Sequence, residues 1–139
     1  RLLPSPIIHL STLPCSRSDA RTHARRSMPA IGNGSVSFDT VAREWRAKYT
    51  GPAAESTSLQ AAQMLLEKHL PTLKALGGEV TRQVCGGCLD FKVSTALPIE
   101  KFAEWERNGF APEEDFLTEL KNIEGISNVE TQNITFMKM

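Results

Sequence analysis

Two cysteines separated by two glycines, Cys85 and Cys88, are the residues of this 139-residue chain whose types and spacing could do chemistry. Cys-X-X-Cys pairs occur in thiol–disulfide proteins and in zinc sites. A redox role would use the pair as a reversible disulfide, and a metal role would need further ligands. The third hypothesis is structural: two small residues flank a glycine turn and have no chemical function. The sequence leaves these three hypotheses open.

The surroundings of the cysteines limit the first two hypotheses. The residues after Cys88 alternate as a strand does, so the helix N-terminus that lowers the thiol pKa in thioredoxin-like proteins is missing. A structural zinc ion takes four ligands, and this chain has one cysteine pair. The remaining Cys and His residues show no partner spacing; they are Cys15, His9, His23 and His69. We therefore expect no cofactor and no metal, with a zinc ion or disulfide shared between two chains as the alternative.

The cysteines lie in a segment, residues 79–97, that alternates apolar and polar residues on both sides of the glycines. This pattern predicts two β-strands, and Gly86-Gly87 predicts a two-residue turn with positive φ at both glycines. In that register Cys85 faces Cys88, about 5.5 Å apart at Cα, a separation that a disulfide can span. The further pairs are Val84 with Leu89, Arg82 with Phe91, and Val80 with Val93.

This register places the apolar residues of the hairpin on one face, with Arg82 as the one charge among them. We expect the stem of Arg82 to pack and its head to reach an acid at the sheet edge, with anion binding as the alternative. The opposite face carries both cysteines and a set of polar candidates for a binding surface. These candidates are Thr81, Gln83, Asp90 and Lys92.

Helical periodicity predicts one long helix before the hairpin and two short helices after it, followed by a strand over residues 129–139. Residues 38–49 fit two patterns: the local period favours a helix, whereas completeness of the fold favours a strand over residues 43–49. With the strand, the order is βαββαβ, a ferredoxin-like α+β sandwich with an antiparallel sheet and helices on one face. With the helix, it is a three-stranded α+β sandwich with an extra N-terminal helix.

Composition separates a tail from a folded body. Residues 1–34 contain five arginines and one acid and are rich in Ser and Pro, which predicts a disordered or extended basic tail. This tail is either a transit segment or sequence upstream of a native start at Met28. Residues 35–139 are expected to form a single α+β domain, with eleven Lys/Arg against fifteen Asp/Glu. Three cysteines favour a reducing compartment. The predicted location is the cytoplasm, or the mitochondrion if residues 1–34 are a transit segment.

Three runs within residues 35–139, AREWRAKYTG, VCGGCLDFKV and FAPEEDFL, resemble a family of small uncharacterised conserved proteins from kinetoplastid protozoa. This resemblance implies no particular activity. A weaker resemblance is to the exchange domain of translation elongation factor 1 beta, which shares the βαββαβ order and ends in Phe-x-Lys-aliphatic, as residues 136–139 do. That resemblance implies a role for Lys138 at the magnesium site of a nucleotide. The basic residues that the family has in the strand matching residues 89–93 are absent here.

The chain shows no catalytic triad, phosphate loop or basic cluster, so an enzyme is not the expected class. We expect a non-enzymatic module that binds a protein partner, or a second copy, through the open face of its sheet. The alternative is a thiol–disulfide redox protein that uses Cys85 and Cys88, and a remote alternative is a nucleotide-exchange domain. Nucleic acid is not expected as a partner because the main body is acidic. No membrane partner is expected either, since no apolar run is long enough to span a bilayer.

Overall fold

Six strands and three helices make up the part of the chain that the computed structural model describes, residues 28–139. A short 3-10 turn at Ala53–Glu55 precedes the first helix. The elements are β1 (Ala30–Ile31), β2 (Val36–Ser37), β3 (Thr40–Lys48), α1 (Thr57–Lys74), β4 (Glu79–Cys85), β5 (Asp90–Pro98), α2 (Ile99–Arg107), α3 (Glu113–Lys121) and β6 (Ser127–Phe136). Most of the predicted basic tail, up to residue 27, lies outside the described residues. Its last residues include β1, which pairs with β2.

The four longer strands form one sheet in the order β4-β5-β3-β6, and each neighbouring pair is antiparallel. Strands β1 and β2 form a separate two-stranded antiparallel sheet. The α+β class predicted from the sequence is therefore confirmed.

Residues 38–49, which fitted both a helix and a strand, contain the central strand β3. It pairs with β5 along one side and with β6 along the other. Because both neighbours shield it, side chains of both parities are buried: Trp45 and Ala47 on one face, Ala42 and Glu44 on the other. Burial on both faces removes the simple alternation expected of a half-exposed strand. The strand prediction is confirmed, and the alternative fold with a helix at this position is wrong.

The hydrophobic core lies between the three helices and one face of the sheet. Helix α1 begins after Ser56, whose Oγ accepts a hydrogen bond from the Leu59 amide at 3.1 Å, the usual N-cap arrangement. From the sheet, Trp45 stacks on Phe116 of α3 with ring centroids 4.6 Å apart. The core also contains Leu66, Leu73, Phe91, Val93, Leu97, Phe102, Trp105 and Leu120. None of the helices within residues 28–139 is long and apolar enough to cross a membrane.

Candidate functional site

The loop that carries the two cysteines is longer than the sequence predicted. Strand β4 ends at Cys85 and β5 begins at Asp90, so the loop has four residues, and Cys85 pairs with Asp90 instead of Cys88. Positive φ falls on Leu89, at 58°, and not on either glycine. The predicted two-residue turn and its register are therefore wrong by two residues. A shift of two leaves every side chain on its predicted face, because side-chain direction in a strand repeats every two residues.

Cys85 and Cys88 form a disulfide across this loop, with their Cα atoms 5.5 Å apart. Strand β3 and the residue after it hold the loop in place. Lys48 Nζ donates to the Cys88 carbonyl oxygen at 2.8 Å, and the Tyr49 hydroxyl donates to the Cys85 carbonyl oxygen at 2.8 Å. The Tyr49 amide also donates to the Leu89 carbonyl oxygen at 3.0 Å. Three hydrogen bonds thus fix the backbone on both sides of the disulfide.

The charges near the disulfide make the two sulfur atoms inequivalent. Asp90 Oδ2 lies 3.3 Å from Cys88 Sγ, and Asp90 also pairs with Lys48. The hydrogen bond from Lys48 lowers the pKa of Asp90, so this carboxylate is ionised at neutral pH. On the other side, the Cys88 amide donates to Cys85 Sγ at 3.1 Å. The two sulfur atoms therefore have different polar neighbours: a carboxylate lies beside Cys88 Sγ, and an N–H donor lies beside Cys85 Sγ.

The remaining candidates for the open sheet face lie on the face opposite the core. In the β4–β5 ladder Thr81 pairs with Ser94, Gln83 with Lys92, and Cys85 with Asp90. The ion pairs Arg46–Glu130 and Lys48–Asp90 lie across this same face. Most of the open face is therefore polar.

One end of the open face, here called its apolar end, exposes apolar side chains among polar ones, and the sequence did not point to it. A cavity of about 460 Å³ lies there. Its apolar lining is Ala96, Phe136 and Met137, and the rest of its lining is polar or charged: Asp39, Thr40, Glu79, Thr81, Ser94 and Lys138. Phe136 is 45% exposed and Met137 is 37% exposed. Lys138, which the weaker resemblance implicates, also lines this cavity. The sequence feature that could have indicated this end is Phe136, an aromatic residue at the end of the last strand. Its position in the strand alternation places it on the open face.

Arg82 lies on the helix-facing side of the edge strand β4, as its parity predicts. Its Nη1 donates to Gln63 Oε1 of α1 at 2.7 Å. The partner is a neutral amide, so the expected contact with an edge acid is not formed. Arg82 and Gln63 line a groove of about 560 Å³ between α1 and β4, together with Leu59, Gln60, Met64 and Val84.

A partly buried polar cluster on the covered face was missed by sequence reasoning. Glu113, at the start of α3, accepts hydrogen bonds from Arg43 Nε at 2.7 Å and from Arg43 Nη2 at 2.9 Å. It also accepts one from Trp45 Nε1 at 2.7 Å, and the Arg43 guanidinium lies 4.2 Å from the centroid of the Phe110 ring. The cluster joins α3 to the sheet, because Glu113 accepts these hydrogen bonds from two residues of β3. We therefore assign the cluster a structural role.

Within residues 28–139, no group of three or more His, Cys, Asp or Glu side chains is arranged to hold a metal ion. Comparison with known proteins gives no relative: no family model, no curated protein and no solved structure matches the chain.

Proposed function

We propose that the protein is a non-enzymatic binding module that associates with a protein partner, or with a second copy of itself, through the open face of its sheet. The observation that carries this proposal is the apolar end of that face, where Phe136 and Met137 line a cavity beside Ala96. Exposed apolar side chains surrounded by polar residues are typical of protein-binding sites. The acidic balance of residues 35–139 makes nucleic acid an unfavourable partner, and we propose no role at a membrane.

A photo-crosslinking amino acid placed at Phe136 tests this proposal on the full chain. We expect ultraviolet light to join the protein to a second chain, whose mass distinguishes a second copy from another protein. Ile31, which is 54% exposed in β1, is the matched control position. If position 136 yields no more crosslinked product than position 31, the open face is not the binding surface.

The proposed architecture of this module is a ferredoxin-like βαββαβ sandwich. Two features support it: the strand order β4-β5-β3-β6 with antiparallel neighbours, and the placement of α1 between β3 and β4 in the chain. Two features go beyond the simple plan, namely the β1–β2 hairpin and the division of the second crossover into α2 and α3. An experimental structure whose sheet has a different strand order would contradict this architecture.

A second candidate function is a reversible thiol–disulfide pair, which the Cys85–Cys88 disulfide supports. A thiolate of a small dithiol would attack one sulfur, and the Cys–Cys bond would break as a mixed disulfide forms. The second thiol of the dithiol then resolves the mixed disulfide, leaving two protein thiols and an oxidised, cyclic reductant. Disulfides in a reducing cytoplasm are usually transient or redox-sensing, which agrees with the proposed cytoplasmic location.

Alkylation of the protein in glutathione buffers of graded redox potential tests the second candidate. Replacing Cys15 with serine removes the third thiol, so each mass increment reports Cys85 or Cys88. We expect both thiols to appear together in a single two-electron transition. Full alkylation in oxidised buffer, without prior reduction, would show that the disulfide does not form and would rule this function out.

A further inference from the structure

The groove between α1 and the edge strand β4 has the properties of a peptide-binding site. We propose that β4 binds an extended peptide as an added antiparallel strand. The peptide carries an acidic residue opposite Arg82 and an apolar residue two positions earlier, opposite Val84. This surface is the outer edge and helix side of β4, whereas Glu79 and Thr81 of the same strand line the cavity on the open face, so it is a second site of interaction.

The backbone of β4 is the first reason for this assignment. Among the described residues β4 pairs only with β5, so its outer side presents unpaired N–H and C=O groups. Unpaired edges of this kind accept an extended chain, whose main-chain hydrogen bonds supply affinity. Five of the seven residues of β4 are exposed, including Val84 next to its last residue. The edge is therefore accessible over most of its length.

The groove beside this edge supplies contacts for alternate side chains of the peptide. Leu59, Met64 and Val84 provide its apolar lining. Met64 is 71% exposed and Val84 is 42% exposed, although both are large apolar side chains. Because Val84 and Arg82 are two residues apart, they point to the same side of the strand. A peptide strand that pairs with β4 would direct every second side chain into the groove.

Charge determines which peptide fits. Arg82 bonds to the neutral Gln63, and no carboxylate among residues 28–139 forms an ion pair with it. A glutamate opposite Arg82 would supply the missing partner through a charge-assisted hydrogen bond. In an antiparallel pair, the residue opposite Val84 precedes the residue opposite Arg82 by two. The recognised pattern is therefore apolar-x-acidic.

A second copy of β4 does not match this pattern. The only acid in β4 is Glu79, and the residue two positions before it is Gly77. A two-fold pairing centred on Arg82 would also bring two arginines together, which is unfavourable for directly opposed residues. The occupant that fits is a different chain.

Fluorescence anisotropy with the full chain and a labelled peptide, Ser-Thr-Ile-Thr-Glu-Thr-Val-Thr-Ser, tests the proposal. The comparison peptide has lysine in place of glutamate. We expect the glutamate peptide to bind about tenfold more tightly, the usual size of one charge-assisted hydrogen bond. Arg82→Glu should reverse this preference. Met64→Glu, which changes the groove without altering β4, should weaken binding of the glutamate peptide.

Lys92→Glu is the matched control, because Lys92 belongs to the same hairpin but lies on the open face. It should leave binding of both peptides unchanged. Hydrogen exchange should show new protection at the β4 amides when the glutamate peptide is bound. Equal affinity for the two peptides, absence of saturable binding, or a dimer that Arg82→Glu dissociates would each overturn the proposal. None of these results would alter crosslinking from position 136, so the two proposals fail separately.

Discussion

The two faces of strand β3 carry the same kind of ion pair in different surroundings. Arg43 points toward the helices and pairs with Glu113, and each side chain is 15% exposed. Arg46, three residues later, points to the open face and pairs with Glu130, with side chains 33% and 53% exposed. Both pairs have an N–O distance of 2.7 Å. The difference between them is burial, and burial determines how much the loss of one partner costs.

Glu113→Ala is expected to have the largest effect. It leaves the indole N–H of Trp45 without its acceptor. It also removes the carboxylate partner of Arg43, whose guanidinium keeps only its neutral acceptors Thr131 and Asn133. Removing one partner of such a pair costs about 2–4 kcal/mol of unfolding free energy. Urea denaturation measures the loss. Glu114→Ala is the matched control, since Glu114 is exposed on the same turn. If both variants lose the same unfolding free energy, Glu113 contributes no more to stability than a favourable charge in the first turn of α3 does.

Tyr49→Phe is expected to have an intermediate effect. The Tyr49 side chain is buried, and its hydroxyl donates to the Cys85 carbonyl oxygen. Loss of this one neutral hydrogen bond should cost about 1 kcal/mol. We also expect faster reduction of the Cys85–Cys88 disulfide by a small dithiol, because the loop loses one attachment. An unchanged reduction rate would show that the hydroxyl does not hold the loop.

The sequence determined the parity of the hairpin but not its register. Period-two alternation placed Thr81, Gln83, Asp90 and Lys92 on one face, and this holds for any shift of two residues. The four-residue loop depends on positive φ at Leu89 and on a hydrogen bond from the Tyr49 amide, a contact 40 residues away in sequence. Local pattern contains no information on such a contact.

The Arg43–Glu113 cluster was hidden for a similar reason. Its partners are 70 residues apart, and Arg43 lies in the segment whose local period favoured a helix while completeness of the fold favoured a strand. Until that segment is known to be a strand, the direction of Arg43 is undefined. Glu113 also had a sufficient local explanation, namely a favourable charge in the first turn of α3. Both ambiguities are resolved by tertiary pairing of β3 with β5 and β6.

Arg46→Gln tests the open-face half of the comparison. We expect the unfolding midpoint to stay nearly unchanged, because exposed ion pairs contribute little and are screened by salt. The hydrogen bond that Arg46 donates to Glu130 raises the pKa of Arg46, which therefore stays charged at any working pH. The variant should be compared with Glu113→Ala at low and at high salt. A loss as large as that of Glu113→Ala would contradict the assignment of the difference to burial.

The smallest expected effect is a change in the titration of Asp90 on the open face. The hydrogen bond from Lys48 is the largest cause of the lowered pKa, and the charge of Lys92 contributes less. Lys48→Met should therefore raise the pKa of Asp90 more than Lys92→Met, as measured by NMR titration of the carboxyl carbon. Because the folded-state pKa is below the unfolded value, ionised Asp90 stabilises the fold above the unfolded pKa. This contribution is lost as the pH falls through the folded-state pKa. Lys48→Met should abolish most of this dependence of stability on acidic pH. Equal pKa shifts in the two variants would show that overall charge, and not the hydrogen bond, controls the pKa of Asp90.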